Sequence, residues 1–195
     1  MNVVLDNNAL IYLLNPRGRR DARLRLRGLL TQVEDSKGLV LIPAPVLTEY
    51  LSHAPERALR EKLITAFRAS RWVKIAPFDE LAAVECAALD SSATATGNKR
   101  APLNASTPWQ SVKIDRQIVA IAKVRRASIV SGDSDVLSVA KWAHVEARKV
   151  EELPVPESER QLLIEGVKLS AAPIVKAKGT AAKVAPATLP PPDPI

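Results

Sequence analysis

Short apolar runs alternate along this chain with longer stretches in which apolar side chains recur every three or four positions. The runs are "NVVLD", "GLVLIP", "WVKIAP" and "SIVSGD". Each is a compact block of mainly Val, Ile and Leu that meets Asp or Pro, the signature of a strand buried on both faces. The stretches between them have helical periodicity. In "NALIYLLN" the apolar face is Ala9, Leu10, Leu13 and Leu14, and in "PRGRRDARLRLRGLLTQVED" it is Leu24, Leu26, Leu29, Leu30 and Val33, after a turn marked by Pro16 and Gly18. "APVLTEYLSH", "APERALREKLITAFRAS", "SVKIDRQIVAIAKVRRA" and "SDVLSVAKWA" read as further helices. "FDELAAVECAALDSS" begins on Asp79 as N-cap, Ser111 is the expected N-cap of the helix that follows, and "HVEARKV" is a candidate edge strand. Between the last two long helices, Ser91 to Gln110 has the small, polar and Pro-containing composition of a long loop.

Strands that alternate with helices form βαβ units, which place a parallel sheet between two helical layers. The expected fold class is α/β, a three-layer α-β-α sandwich with a mainly parallel central sheet, spanning residues 1–155. From residue 156 a C-terminal extension follows. Its Ala, Pro and Lys mixture past about residue 167 buries too little apolar surface to offset its ordering entropy and is expected to be disordered.

Composition narrows the picture. A chain of 195 residues suits one domain with decoration, and 47% hydrophobic residues with only 4% aromatic call for a core of Leu, Ile, Val and Ala. One cysteine, Cys86, forms no internal disulfide, and with two distant histidines, His53 and His144, it makes no structural zinc site. A reducing, cytoplasmic setting is expected, with no membrane partner, because the N-terminus lacks a basic leader and no apolar run is long enough to span a bilayer. The formal charge of +7 points to a polyanionic partner, most plausibly nucleic acid.

The chemistry lies in the acids. "SGDSDVL" sets Asp133 and Asp135 directly after one strand, and Asp6 closes another. In an open parallel sheet the functional crevice lies at the carboxyl ends of the strands. If those two strands are neighbours the carboxylates converge, and Glu49 and Asp115, near the starts of helices packed on the sheet, reach the same place. The apolar flanks of Glu49 at Val46, Leu47, Tyr50 and Leu51 suggest a partly enclosed setting. Carboxylates gathered so closely remain ionised only with cations among them, and hard oxygen donors select Mg²⁺ or Mn²⁺. Such a site cleaves phosphodiesters by binding the phosphate and activating water. Each acid alone has a plainer reading: Asp6 and Asp133 as helix caps, Glu49 as a surface residue, Asp115 as an ordinary first-turn acid.

Taken together, "VVLDNNALIYLL", "PAPVLTEYLS", "KIDRQIVAIAK" and "ASIVSGDSDVL" resemble, in order and spacing, the acidic motifs of PIN-domain ribonucleases, and most closely the VapC-type toxins of bacterial toxin-antitoxin pairs. The resemblance covers about residues 1–150. It implies that Asp6, Glu49, Asp115 and Asp133 are the catalytic metal-binding set, with Asp135 as a further metal ligand and Asn7 and Ser131 as accessory polar groups. It also implies endonucleolytic cleavage of RNA with Mg²⁺ or Mn²⁺, a homodimer, and a cognate antitoxin. Arg17, Arg19, Arg20 and Arg23, in an Arg-rich stretch that equally suits a solvated helix face, and Lys99 and Arg100, in the long loop, are the candidate RNA-binding cations. The competing reading is a catalytically silent PIN-like module that binds RNA or protein.

Overall fold

The computed structural model describes residues 1–15, 18–53 and 56–156. Arg17 and the stretch expected to be disordered lie outside the described residues. Along the chain run β1 (Asn2–Leu5), α1 (Asn7–Leu14), α2 (Arg20–Asp35), β2 (Leu39–Pro43), α3 (Ala44–Ser52), α4 (Arg57–Ala69), β3 (Val73–Ala76), α5 (Glu80–Ala95), α6 (Trp109–Val124), β4 (Ser128–Ser131), α7 (Ser134–Trp142) and β5 (Ala147–Lys149). A 3₁₀ turn, Val150–Glu152, follows.

The sheet has five strands in the order β3-β2-β1-β4-β5, and every pair is parallel. The α/β sandwich expected from the alternation is therefore present, and "HVEARKV" does supply an edge strand. Pleating divides the core in two. Val4, Leu41 and Ile129 point into one cluster with Val46, Val112, Val119, Val136 and Val139 from the helices. Val3, Leu5, Val40 and Val130 point into the other, with Ala9, Ala22, Leu26 and Val33. The chain leaves β1 on one side for β2 and β3, then returns to set β4 against its other side. That reversal makes a topological switch point beside β1, where a crevice opens at the strand carboxyl ends.

Two local expectations need correction. The loop placed at Ser91 to Gln110 is shorter, because Ser91 to Ala95 continue α5 and α6 begins at Trp109, leaving 96–108 irregular. The helix accommodates the hydroxyls by letting them donate to carbonyls one turn back, Ser92 to Ala88 at 2.9 Å and Thr94 to Asp90 at 2.9 Å. Ser111 is not the N-cap of α6. Pro108 holds that position without a side-chain cap, and its carbonyl accepts from the Val112 amide at 3.2 Å. The Asp79 cap of α5 is as expected, with its carboxylate accepting from the Ala82 amide at 3.1 Å.

Three turns from helix to strand pass through a non-glycine residue in the left-handed region: Lys37 at φ 53°, Arg126 at 49° and His144 at 57°. In each the next amide reaches back to close the helix, Gly38 to Val33 at 2.8 Å, Ala127 to Ala122 at 2.9 Å and Val145 to Ala140 at 2.8 Å. Left-handed backbone costs an L-residue about 1–2 kcal/mol. Glycine's larger unfolded-state entropy offsets about half of that gain. Arg126→Gly is thus expected to stabilise the protein by roughly 0.5–1 kcal/mol, read as a higher urea midpoint at unchanged slope. An unchanged or lower midpoint would show that the arginine side chain compensates for its own backbone.

Candidate active site

Backbone direction places the acids. β1 and β4 are neighbours, so Asp6, one residue past β1, and Asp133, two past β4, stand at the same end of the sheet. Asp6 caps α1, with Oδ1 accepting from the Ala9 amide at 3.0 Å. Its Oδ2 accepts from the Ser131 hydroxyl. That same hydroxyl oxygen accepts from the Asp133 amide at 2.7 Å, and Asp133 caps α7 through the Asp135 amide at 2.8 Å. Ser131 is fully buried and ties the two strand-end acids into one hydrogen-bonded unit. The capping and convergence readings are therefore compatible, since a cap occupies one carboxylate oxygen and leaves the other.

Asp115 comes from the second turn of α6 and is only 7% exposed. Burial, followed by the negative charges of Asp133, Asp135, Asp6 and Glu49, raises its pKa from 3.8 to about 7. The other four candidate acids thus all act on Asp115. Asp6, 3% exposed, is also pushed upward by burial, opposed by its bonds from Ser131 and Ala9 and reinforced by the charge of Asp133. Among the described residues no cation pairs with any of the five. Glu49 is not enclosed as its flanks suggest. Val46 and Leu47 enter the core and turn the glutamate outward, where it is exposed.

Among the described residues no three His, Cys, Asp or Glu side chains form a closed metal cage. The acids share a field without standing at ligand spacing, as mutually repelling anions do. Two features nevertheless fit a hard cation: the donors are all oxygen, and the Asn7 Oδ1, beside Asp6, is buried without a hydrogen-bond partner.

The candidate RNA-binding cations are dispersed. Arg19 pairs with Glu151 at 2.6 Å and Asp21 at 3.3 Å and lies over the Tyr12 ring. Arg23 donates to the Asn15 carbonyl at 3.1 Å, and Arg100 donates to the Thr107 carbonyl at 2.8 Å. Arg20 and Lys99 are exposed. Tyr12 borders the acids, because a Cβ added at Gly132 would stand 3.2 Å from its ring. The sequence reading passed over Arg116, although a basic residue in register with the buried Val112, Val119 and Ala120 is a detectable signal. It passed over Phe78 and Gln117 as well.

Removing the hydroxyl of Ser131 leaves the buried Asp6 oxygen and the Asp133 amide without their shared partner. Ser131→Ala is expected to lose about 1–3 kcal/mol, measured by chemical denaturation at pH 7. No loss would mean that water takes over both bonds.

The sequence matches the family model of the PIN domain over residues 3–141. No curated protein matches it. Among solved structures, FitAcB from Neisseria gonorrhoeae is similar at 21% identity with a TM-score of 0.53, covering 77% of this chain and 99% of that one. VapBC2 from Rickettsia felis, bound to a DNA fragment from its promoter, is similar at 16% identity with a TM-score of 0.53, covering 76% and 98%. VapBC-1 from nontypeable Haemophilus influenzae is similar at 15% identity with a TM-score of 0.52, covering 78% and 100%.

Proposed function

The chain belongs to the PIN domain family, and from that premise we propose that it is a divalent-metal-dependent endoribonuclease, the toxin member of a toxin-antitoxin pair. One observation carries the reading: a buried aspartate at the centre of four other acids, with no cation beside them among the described residues. An acidic cluster is a poor surface for a polyanion unless cations are recruited to it. Mg²⁺ or Mn²⁺ held by Asp6, Glu49, Asp115 and Asp133, with Asp135 as a further ligand, would supply charge neutralisation at the phosphate and activation of water.

The protein's own residues do the rest. Ser131 holds the Asp6 carboxylate and the Asp133 backbone amide on one hydroxyl, and the Asp135 amide orients the Asp133 carboxylate. The N-cap bonds use one oxygen of each of those acids, and the second oxygen of Asp6 accepts from Ser131. Burial of Asp6 and Asp115 lowers the local dielectric, which strengthens their hold on a cation. Glu49 stands on the exposed wall and would meet the cation from the solvent side. No helix among the described residues is long and apolar enough to cross a membrane. For the antitoxin, support comes from the neighbours, whose names denote VapBC and FitAB complexes. The homodimer is carried over from the family resemblance.

The test is incubation of the protein with a mixed, unstructured RNA in Mg²⁺ or Mn²⁺, and again with EDTA. Internal cleavage that requires the divalent ion is expected. RNA binding without cleavage would favour the silent module instead, and cleavage that persists in EDTA would overturn the metal. Growth arrest on expression, relieved by co-expression of the neighbouring small gene, is expected for a toxin and not for a housekeeping nuclease.

A further inference from the structure

Beside the acids lies a groove of about 510 Å³, lined by Ala44, Pro45, Thr48, Glu49, Phe78, Ile114 and Gln117 with Ser52 at its edge. It runs between α3, α6 and the β3–α5 loop, at the functional end of the sheet. Two of its walls are shared with the candidate active site: Glu49 itself, and the turn of α6 on which Ile114 and Gln117 flank Asp115. Its lining is mostly apolar and holds no cation, so it suits an uncharged planar group rather than a phosphate.

Phe78 is the aromatic among the exposed large apolar side chains, at 37% exposure, in a chain with only two phenylalanines. Its position is fixed by its neighbour, since Asp79 caps α5 and pairs with Arg125. The polar groups of the groove are mostly engaged. Thr48 donates to the Ala44 carbonyl at 3.0 Å and Ser52 to the Glu49 carbonyl at 2.7 Å. Among the described residues the Gln117 amide has no partner, which leaves a donor and an acceptor side by side.

We propose that this groove is a base-reading subsite: a nucleobase next to the scissile phosphate of single-stranded RNA stacks on Phe78 and is recognised at its edge by the Gln117 amide. The inference rests on the nuclease reading and names how its substrate is chosen. Aromatic stacking of single-stranded bases is tolerant of sequence, and an amide adds discrimination by pairing with a donor-acceptor edge such as that of adenine. Contiguity with Glu49 favours a base over a protein side chain, because the nucleotide carrying the phosphate at the acids must put its base one sugar's reach away.

The experiment uses short single-stranded RNAs that differ in the base flanking the cut, and in parallel a 2-aminopurine ribohexamer, whose fluorescence is quenched on stacking. Phe78→Ala is expected to lower kcat/KM about tenfold, mainly through KM, from the usual worth of one stacked base. Gln117→Leu is expected to flatten the base preference, read as kcat/KM across the RNAs. Phe78→Trp should retain activity. Quenching of the probe by Asp115→Asn protein in Mg²⁺ is expected, and its loss in Asp115→Asn/Phe78→Ala. If the wild type cleaves while Phe78 and Gln117 variants keep its KM and base preference, the subsite is wrong and the nuclease stands. Quenching that depends on Phe78 without any cleavage would keep the subsite and remove the nuclease. A change in oligomeric state by Phe78→Ala, with cleavage kinetics intact, would reassign the groove and the adjoining exposed Leu81 and Val84 to contact between copies of the chain.

Discussion

Asp115→Asn is expected to lower divalent-dependent RNA cleavage by about a hundredfold or more, since even partners outside the ligand set cost about 10- to 100-fold, and at the same time to make the metal-free protein more stable. The second half follows from the proton. Asp115 has a folded pKa of about 7 against 3.8, so the native state binds a proton that the unfolded chain has released. Stability of the metal-free wild type therefore falls as pH rises from about 4 to 7 and is flat above that window. Asparagine removes the charge and with it this slope. The variant should exceed the wild type above pH 7 by roughly 2 kcal/mol, allowing for solvent screening, and the advantage should vanish below pH 4. Mg²⁺ or Mn²⁺ should raise the melting temperature of the wild type, more strongly at pH 8 than at pH 6, because the ion competes with that proton. Denaturation of both proteins across pH 4–8, with and without divalent ion, checks every part. An activity loss with parallel stability profiles would mean that the acids do not share a field.

Arg116→Ala should produce the largest loss of stability. The guanidinium is 1% exposed and pairs with Asp90. It donates to the carbonyls of Lys99 at 2.7 Å and Ala101 at 2.9 Å, and lies 5.7 Å from the Trp109 ring. One side chain thus fastens the 96–108 loop to α6, one residue from Asp115. Truncation leaves two carbonyls and a carboxylate without their donor and opens a void. Asp90 is half exposed and its charge passes to water, so the loss comes from the two carbonyls and the void, about 2–4 kcal/mol, equivalent to roughly 4–16 °C in a chain of this size. Arg116→Met, which refills the volume, should recover only part of this. Adding Asp90→Leu should recover a little more, and the carbonyls should remain unmet. Thermal unfolding of the three variants checks the claim, and a loss under 1 kcal/mol in all of them would show that water serves the loop equally well.

The strands and the helices on either side of them were legible because burial on two faces leaves unbroken apolar blocks, while helices with one wet face leave a period of three to four. Boundaries were less so where local chemistry is ambiguous. Ser91, Ser92 and Thr94 have loop composition, yet the helix continues through them, with the Ser92 and Thr94 hydroxyls absorbed by carbonyls one turn back. Glu49 was misjudged because apolar neighbours on a helix fill the core side and turn the residue between them outward. Arg116 was overlooked because its partners lie 26, 17 and 15 positions away.

The sequence by itself determined the alternation of elements, the acids at strand and helix ends and the basic balance of the whole, all of them properties of residue type and short-range spacing. Only the tertiary structure decided that β1 and β4 lie side by side, which sets Asp6 against Ser131 across 125 positions of chain. It also decided that Asp115 is buried where the other four acids raise its pKa. Proximity of that kind depends on strand order, and strand order follows from how the two cores pack rather than from any one stretch of residues.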